Sequence, residues 1–220
     1  MKVYGAATSA CTHKVLMVLA EKNHHADLIE VSVLKGQDKS AAHRERQPFG
    51  EIPVLDDDGF VLYESRAIIR YLDQRLPGPA LTPRDLRSRG LMEQWISIEQ
   101  SYVSGPVWEL VRAGPIYEII RQSPGAEFLP PPPDQAAIAA ARYGLAKAFD
   151  VADATLAGQQ YLAGPQFSLA EVTWLPYVQY LIASNGWDLI EDRPNLARWW
   201  REISSRGTWR RVGHVLERPE

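Results

Sequence analysis

The opening stretch of the chain, residues 1–76, changes its hydrophobic period repeatedly. Lys2–Tyr4 is a short apolar start that reads as a strand, and Gly5–Ser9 is small and polar, as a loop is. From Ala10 to Lys22 the apolar positions Val15, Leu16, Val18 and Leu19 suit one face of a helix. Asp27–Val33 then alternates, with Ile29, Val31 and Val33 on one face, which predicts a strand. Two apolar runs, Pro53–Leu55 and Phe60–Tyr63, flank Asp56-Asp57-Asp58-Gly59 and predict a hairpin. From Ser65 onward Ile68, Tyr71 and Leu72 share a helical face. Between Lys35 and Gly50 the sequence is polar and irregular, a surface segment with room for a short helix.

Pro77-Gly78-Pro79, followed by Pro83, breaks the helical pattern and reads as a linker. Beyond it strand patterns disappear. Met92, Trp95, Ile96, Glu99 and Val103 follow helical spacing, with Glu99 the polar exception. Gly114-Pro115 and the run Pro130–Pro133 interrupt this region, and consecutive prolines favour an extended, stiff connection. That connection is either a plain loop between helices or a lid over a pocket. Leu145, Phe149, Ala152 and Leu156 form a further stripe. Ser168 and Glu171 stand at capping-box spacing with Phe167 and Val172 at the staple positions, which predicts a helix start. A last helix is expected after Pro194, with Leu196, Trp199, Trp200 and Ile203 inward. The first part, β-α-β then β-β-α, predicts a thioredoxin-like α/β domain over 1–76, joined by a linker over 77–86 to an all-helical domain over 87–220.

Composition narrows the function classes. The chain has 220 residues, 45% hydrophobic and 23% charged, enough to bury a core in each of two domains. A net charge of -3 supplies no basic field for nucleic acid or anionic lipid. The arginines that gather late, Arg193, Arg198, Arg201, Arg206, Arg210 and Arg211, read as the solvated face of the last helix. One cysteine, Cys11, makes neither an internal disulfide nor a metal cluster, so no metal is expected. The start MKVYGAATSA lacks the apolar run of a signal peptide, and no stretch approaches a membrane span. Cytoplasmic residence is the expectation.

Three places carry chemistry. Ser9 precedes the first helix, where unpaired amides and the helix dipole favour negative charge. It is either a plain helix cap or a hydroxyl that hydrogen-bonds a bound thiolate and lowers its pKa. Cys11, two residues on, is either packed and inert or a reactive thiol near a helix start, and Thr12 is a weaker alternative hydroxyl. Glu51-Ile52-Pro53 opens a strand after a loop. A cis Ile52–Pro53 bond would turn the Ile52 N–H and C=O outward, to pair with a peptide-like ligand as an added strand. Glu64-Ser65 begins a helix: Ser65 is either a simple cap or, with the following amides, a carboxylate receptor, and Glu64 can pair with an amino group. Together these describe a receptor for a short thiol peptide.

The segments VYGAATSACTHKVLMVLAEK, QPFGEIPVLDDDG, LYESRAIIRYL, FSLAEVTWLPYVQYL and RPNLARWWREISSR resemble the glutathione transferase family, most closely its phi class, over nearly the whole chain. The resemblance implies glutathione as co-substrate, with Ser9 as the catalytic serine, Ile52 and Pro53 as the backbone-pairing residues and Glu64 and Ser65 as the γ-glutamyl holders. It places Lys39 near the glycine carboxylate, with Glu51 alongside. Three positions depart from the phi pattern: Asp38 replaces a usual His, Glu51 a usual Gln, and Ala7 a frequent Pro, which predicts a looser catalytic loop. A second-substrate pocket for a hydrophobic electrophile is expected between the domains, lined by Tyr102, Trp108, Tyr117, Trp174 and Tyr177. The family also implies a homodimer. Two other activities remain open at this point: a Cys11-dependent thiol reductase or peroxidase, and a non-catalytic binder of hydrophobic ligands.

Overall fold

A computed structural model describes residues 1–122, 126 and 129–213, so the last residues assigned above to the helical domain, 214–220, lie outside it. The described residues divide into two compact units, one formed by residues 1–80, 121, 122, 126, 129 and 207–213 and the other by residues 81–120 and 130–206.

The first unit is built on β1 (Lys2–Gly5), α1 (Ala10–Glu21), β2 (Asp27–Glu30), α2 (Ala41–Arg44), β3 (Val54–Asp57), β4 (Phe60–Tyr63) and α3 (Ser65–Arg75). The sheet runs β2-β1-β3-β4, with β1 and β2 parallel and the other neighbours antiparallel. The turn between β3 and β4 needs positive φ at both central residues, and Asp58 (54°) and Gly59 (96°) supply it. Val3, Val15, Val18, Val54, Leu55, Ile68 and Leu72 are fully buried, so the faces expected of β1, α1, β3 and α3 meet in one core. Lys22, at the end of α1, is itself buried and gives its three protons to the Asp73 carboxylate (2.7 Å) and to the carbonyls of Asp73 (2.9 Å) and Pro79 (2.7 Å).

Two expectations for this unit need correction. β2 ends at Glu30, not Val33, and Ile29 and Val33 are 38% and 39% exposed. β2 is an edge strand, and after Val31 the chain turns away, with the Gln37 side chain accepting from the Ser32 N–H (2.8 Å). The helix after Pro194 is not the last described one: α11 (Gly207–Val212) follows it and packs against α1 in the first unit. Trp209, 3% exposed, stands edge-on to His13 at 5.7 Å, and the Thr208 hydroxyl donates to Glu21 at 2.5 Å.

The second unit holds α4 (Leu86–Ile98), a π-helical turn (Glu99–Val103), α5 (Ser104–Arg112), α6 (Pro115–Arg121, its last residue counted with the first unit), α7 (Gln135–Leu156), α8 (Leu169–Ala183), α9 (Asp188–Glu191) and α10 (Pro194–Ser204). Met92, Trp95, Ile96, Glu99 and Val103 are all buried, as are Leu145, Phe149, Ala152 and Leu156. Leu196, Trp199 and Ile203 face inward, whereas Trp200 is only half-buried. No helix among the described residues is long and apolar enough to cross a membrane. The late arginines do not share one solvated face. Arg193 ties α10 to Asp150 of α7 (2.8 Å) and to the Ala146 and Leu189 carbonyls, and Arg198 caps the Leu156 and Gln159 carbonyls. Arg206 lies 3.9 Å over the Phe167 ring. Their long side chains reach acceptors and a ring of other segments, which sequence position does not reveal.

The capping box at α8 is present, and its acid does more than cap. Glu171 is fully buried and accepts from the amides of Leu162 (2.6 Å) and Ser168 (2.9 Å) and from the Ser168 hydroxyl (2.9 Å). Burial pushes its pKa up, and the hydrogen bonds only partly offset that. A carboxyl whose pKa is raised on folding holds its proton longer in the native state than in the unfolded one. Its contribution to stability is therefore full below the unfolded value, about 4.3, and is lost as pH rises through the raised native value. Glu171→Gln is expected to flatten that decline in a series of urea titrations; an unchanged pH slope would place the decline elsewhere.

Candidate functional site

The sheet register assembles the site. Tyr4 of β1 pairs with Val54 of β3, and Val54 pairs with Tyr63 of β4. The end of β1, the start of β3 and the end of β4 therefore lie side by side, about 4.8 Å apart per strand. From these adjacent ends issue the Ala6–Ser9 loop, the Ile52–Pro53 peptide and the Glu64-Ser65 step into α3. Three segments remote in sequence share one edge of the sheet.

Ser9 is the N-cap of α1, and its hydroxyl oxygen accepts from the Thr12 N–H at 3.3 Å. The cap and the thiolate donor are compatible roles. The oxygen uses a lone pair for the cap and retains its proton for a ligand, and accepting one bond strengthens the donation of another. The loop before it is held on both sides despite Ala7. The Ala7 carbonyl accepts from His13 Nε2 (2.6 Å), its N–H points to Glu30 (3.4 Å), and the Ser9 N–H bonds the Ala6 carbonyl (3.0 Å). The looser loop expected from the missing proline is thus offset by side chains of α1 and β2. Cys11, the second residue of α1, is half-buried. Thr12 is fully buried and unavailable to a ligand: a Cβ on Gly5 would meet its Oγ1 at 2.6 Å, so α1 begins closely packed on the end of β1.

The Ile52–Pro53 bond is cis. Glu51 before it is fixed by two buried side chains: Gln47 accepts from its N–H (3.2 Å), and His43 Nε2 donates to its carbonyl (2.7 Å). Among the described residues the N–H and C=O of Ile52 bond nothing within the fold. A held backbone with one unpaired N–H and C=O is the template for an added strand.

Glu64 has φ 71° and ψ 106°, outside the regions ordinary residues favour, and its exposed side chain makes no cap bond. Such strain persists where surrounding structure imposes it and clusters at ligand sites. The turn presents Ser65, which is only 4% exposed, with a hydroxyl and an amide that have no partner among the described residues. Donors that the fold leaves unpaired are available to a ligand.

Lys39 reaches the same edge but is already engaged. Its ammonium donates to the Gly50 carbonyl (2.5 Å) and to Glu51 (3.0 Å), and lies 3.4 Å from Asp38. Burial draws its pKa down, but Glu51 and Asp38 outweigh that and hold it above the ordinary lysine value. Gly50, at φ 67°, permits the approach, since a Cβ there would sit 2.8 Å from Lys39 Cδ.

The aromatic candidates separate. Tyr102, on the π-helical turn, and Trp108 are 62% and 44% exposed, and Tyr177 is half-buried. Tyr117 and Trp174 are fully buried. The Tyr117 hydroxyl donates to the Pro130 carbonyl (2.6 Å), and the Trp174 indole to the Trp95 carbonyl (3.0 Å). These two build the core of the helical unit and have no surface for a ligand. Sequence reading missed His13, His43 and Gln47, which act on the site through backbone atoms of other segments, and Trp209, which stands against the His13 ring. For His13 and His43 the one signal was a polar residue on the inward face of a helix.

Residues 8–75 match the family described as glutathione S-transferase, N-terminal domain, and residues 135–202 match glutathione S-transferase, C-terminal domain. Glutathione S-transferase F10 of Arabidopsis thaliana is 34% identical over 96% of this chain and 95% of its own length. Glutathione S-transferase hmp2 of Hypomyces subiculosus is 36% identical over 95% of each. The crystal structure of glutathione transferase F7 from Populus trichocarpa superposes with a TM-score of 0.87 at 31% identity, covering 98% of this chain and 99% of that one. With the register-built site and relatives aligned across both units, this chain belongs to the glutathione S-transferase family, alongside its phi-class members.

Proposed function

We propose that this enzyme binds glutathione along the shared edge of the sheet and transfers its sulfur to a hydrophobic electrophile. The observation that carries the reading is Ser65: a largely buried residue whose hydroxyl and amide have no partner among the described residues, at a strained step into α3. A carboxylate is the natural occupant of such a helix start. With the γ-glutamyl carboxylate there and its amino group at Glu64, the cysteinyl backbone pairs with Ile52 beside Pro53, and the sulfur falls toward Ser9. The Ser9 proton and the first amides of α1 then favour thiolate over thiol. The thiolate attacks the electrophilic carbon, a carbon–sulfur bond forms, and the leaving group departs with the electron pair of its bond. Ser9 stays a hydrogen-bond donor throughout and forms no covalent intermediate. Cys11, half-buried as the second residue of α1, would be the nucleophile of the alternative mechanism, whereas the Ser9 hydroxyl at the cap is placed to act as a donor.

Lys39 and Glu51 border the glycine end of the peptide. Tyr102, Trp108 and Tyr177 keep surface for the apolar co-substrate. The resemblance to phi-class enzymes supports, in addition, a cytoplasmic homodimer with a part in detoxification. Ser65→Ala tests the reading by calorimetric titration with glutathione. Loss of a charge-assisted hydrogen bond, about 1.5–3 kcal/mol, should weaken binding roughly 10- to 150-fold. An unchanged Kd would remove Ser65 from the site.

A further inference from the structure

The peptide site has two ends, and they are built with opposite electrostatics. The Ser65 end offers unpaired donors to an anion. Past Ile52, at Glu51, the ligand meets a cluster whose cation is already occupied. Lys39 has three ammonium protons, and the Gly50 carbonyl (2.5 Å), Glu51 Oε1 (3.0 Å), Asp38 Oδ2 (3.4 Å) and the Phe49 carbonyl (3.4 Å) surround them. Asp38 is only 4% exposed, and its other oxygen has no donor among the described residues, so its negative charge is poorly offset. Gly50 locks the arrangement, because any side chain there would collide with Lys39 Cδ at 2.8 Å and the Asp38 carbonyl at 2.9 Å. Two carboxylates and one lysine leave this cluster with an excess of negative charge. The nearby Arg44, whose Nε comes within 3.4 Å of the same Gly50 position, is exposed and pairs with neither carboxylate among the described residues. Its charge is therefore solvated and screened.

We propose that the Lys39–Glu51–Asp38 cluster makes this end of the site select thiol peptides with an uncharged or cationic C-terminal group over the free carboxylate. The proposal rests on the reading that a γ-glutamyl thiol peptide lies between Ser65 and Ile52. A free carboxylate arriving at Glu51 faces a like charge and competes with it for Lys39, whose side chain is 46% exposed. A neutral ester or amide meets no such repulsion and can accept from the same ammonium. Discrimination by placing a like charge against the wrong ligand is a common route to specificity.

The test compares glutathione with its glycine ethyl ester by calorimetric titration on the wild-type protein, Glu51→Gln and Ser65→Ala. The Glu51 side chain is 67% exposed, so Glu51→Gln leaves the core untouched. The ester is expected to bind the wild type about 3- to 10-fold more tightly than glutathione. In Glu51→Gln, glutathione should gain most of that factor while the ester barely changes, so the two affinities converge. Ser65→Ala should weaken both ligands alike. Tighter binding of the free acid to the wild type overturns the proposal. If that preference disappears in Arg44→Ala, Arg44 is the carboxylate receptor instead. Equal shifts of both ligands in Glu51→Gln likewise overturn it. Failure of both ligands to bind, or indifference of both to Ser65→Ala, overturns the peptide site itself and the proposal with it.

Discussion

Ser9→Ala is expected to raise the pKa of the glutathione thiol in the complex by about one to two units and to slow conjugation at neutral pH roughly 10- to 100-fold. Glutathione should bind with nearly unchanged affinity, because the groups at Ser65 and Ile52 hold it independently. The magnitude follows from what remains. Alanine cannot donate to the sulfur, but the first-turn amides and the helix dipole stay. Ala is also a poor N-cap, so the Thr12 N–H loses its acceptor at a cost of about 1 kcal/mol in stability. Ser9→Thr keeps both the cap and the donor and should retain most of the activity, which separates the chemical role from the structural one. Full activity in Ser9→Ala, with activity lost instead in Cys11→Ser, would transfer the chemistry to Cys11 and to a thiol-exchange mechanism.

Trp174→Ala is expected to cost about 3–5 kcal/mol of stability. Its indole is wholly buried, lies 5.4, 6.2 and 6.4 Å from the rings of Trp95, Phe149 and Trp199, and donates to the Trp95 carbonyl. Truncation leaves a large cavity at the meeting point of α4, α7, α8 and α10 and removes one of the two donors to that carbonyl, the other being the Glu99 N–H. Urea denaturation followed by tryptophan fluorescence would show the shift. A loss below about 1 kcal/mol would mean that the site collapses without penalty and that Trp174 is not central to the core.

These two residues mark what could and could not be read from the chain. The structural places of Ser9, Ile52, Pro53, Glu64 and Ser65 were legible because each sits at a junction with its own local signature: a cap, an X-Pro strand start, a helix start. The hairpin was legible from Asp58-Gly59, and the α8 start from Ser168 and Glu171. Trp174 was not distinguishable from a ligand contact, because an aromatic residue on a helix looks the same whether it faces a cavity or a core. β2 was read too long, since alternation continues through Val33 although an edge strand has no second neighbour to hold it. α11 escaped because its main anchor, Trp209 against His13, joins residues from opposite ends of the chain. That Asp38 and Glu51 bring negative charge near the glycine end was legible from the sequence; that both engage Lys39 was not, because sequence position does not show which charges meet.

The central claim is that the edge of the sheet holds glutathione and that the start of α1 ionises its sulfur. The most direct test is a pH titration of glutathione bound to the wild-type protein, following thiolate absorbance. The account predicts a thiol pKa well below the ordinary thiol value of about 8.5, moving toward neutrality. Binding with an unshifted thiol pKa, or no binding at all, would contradict it.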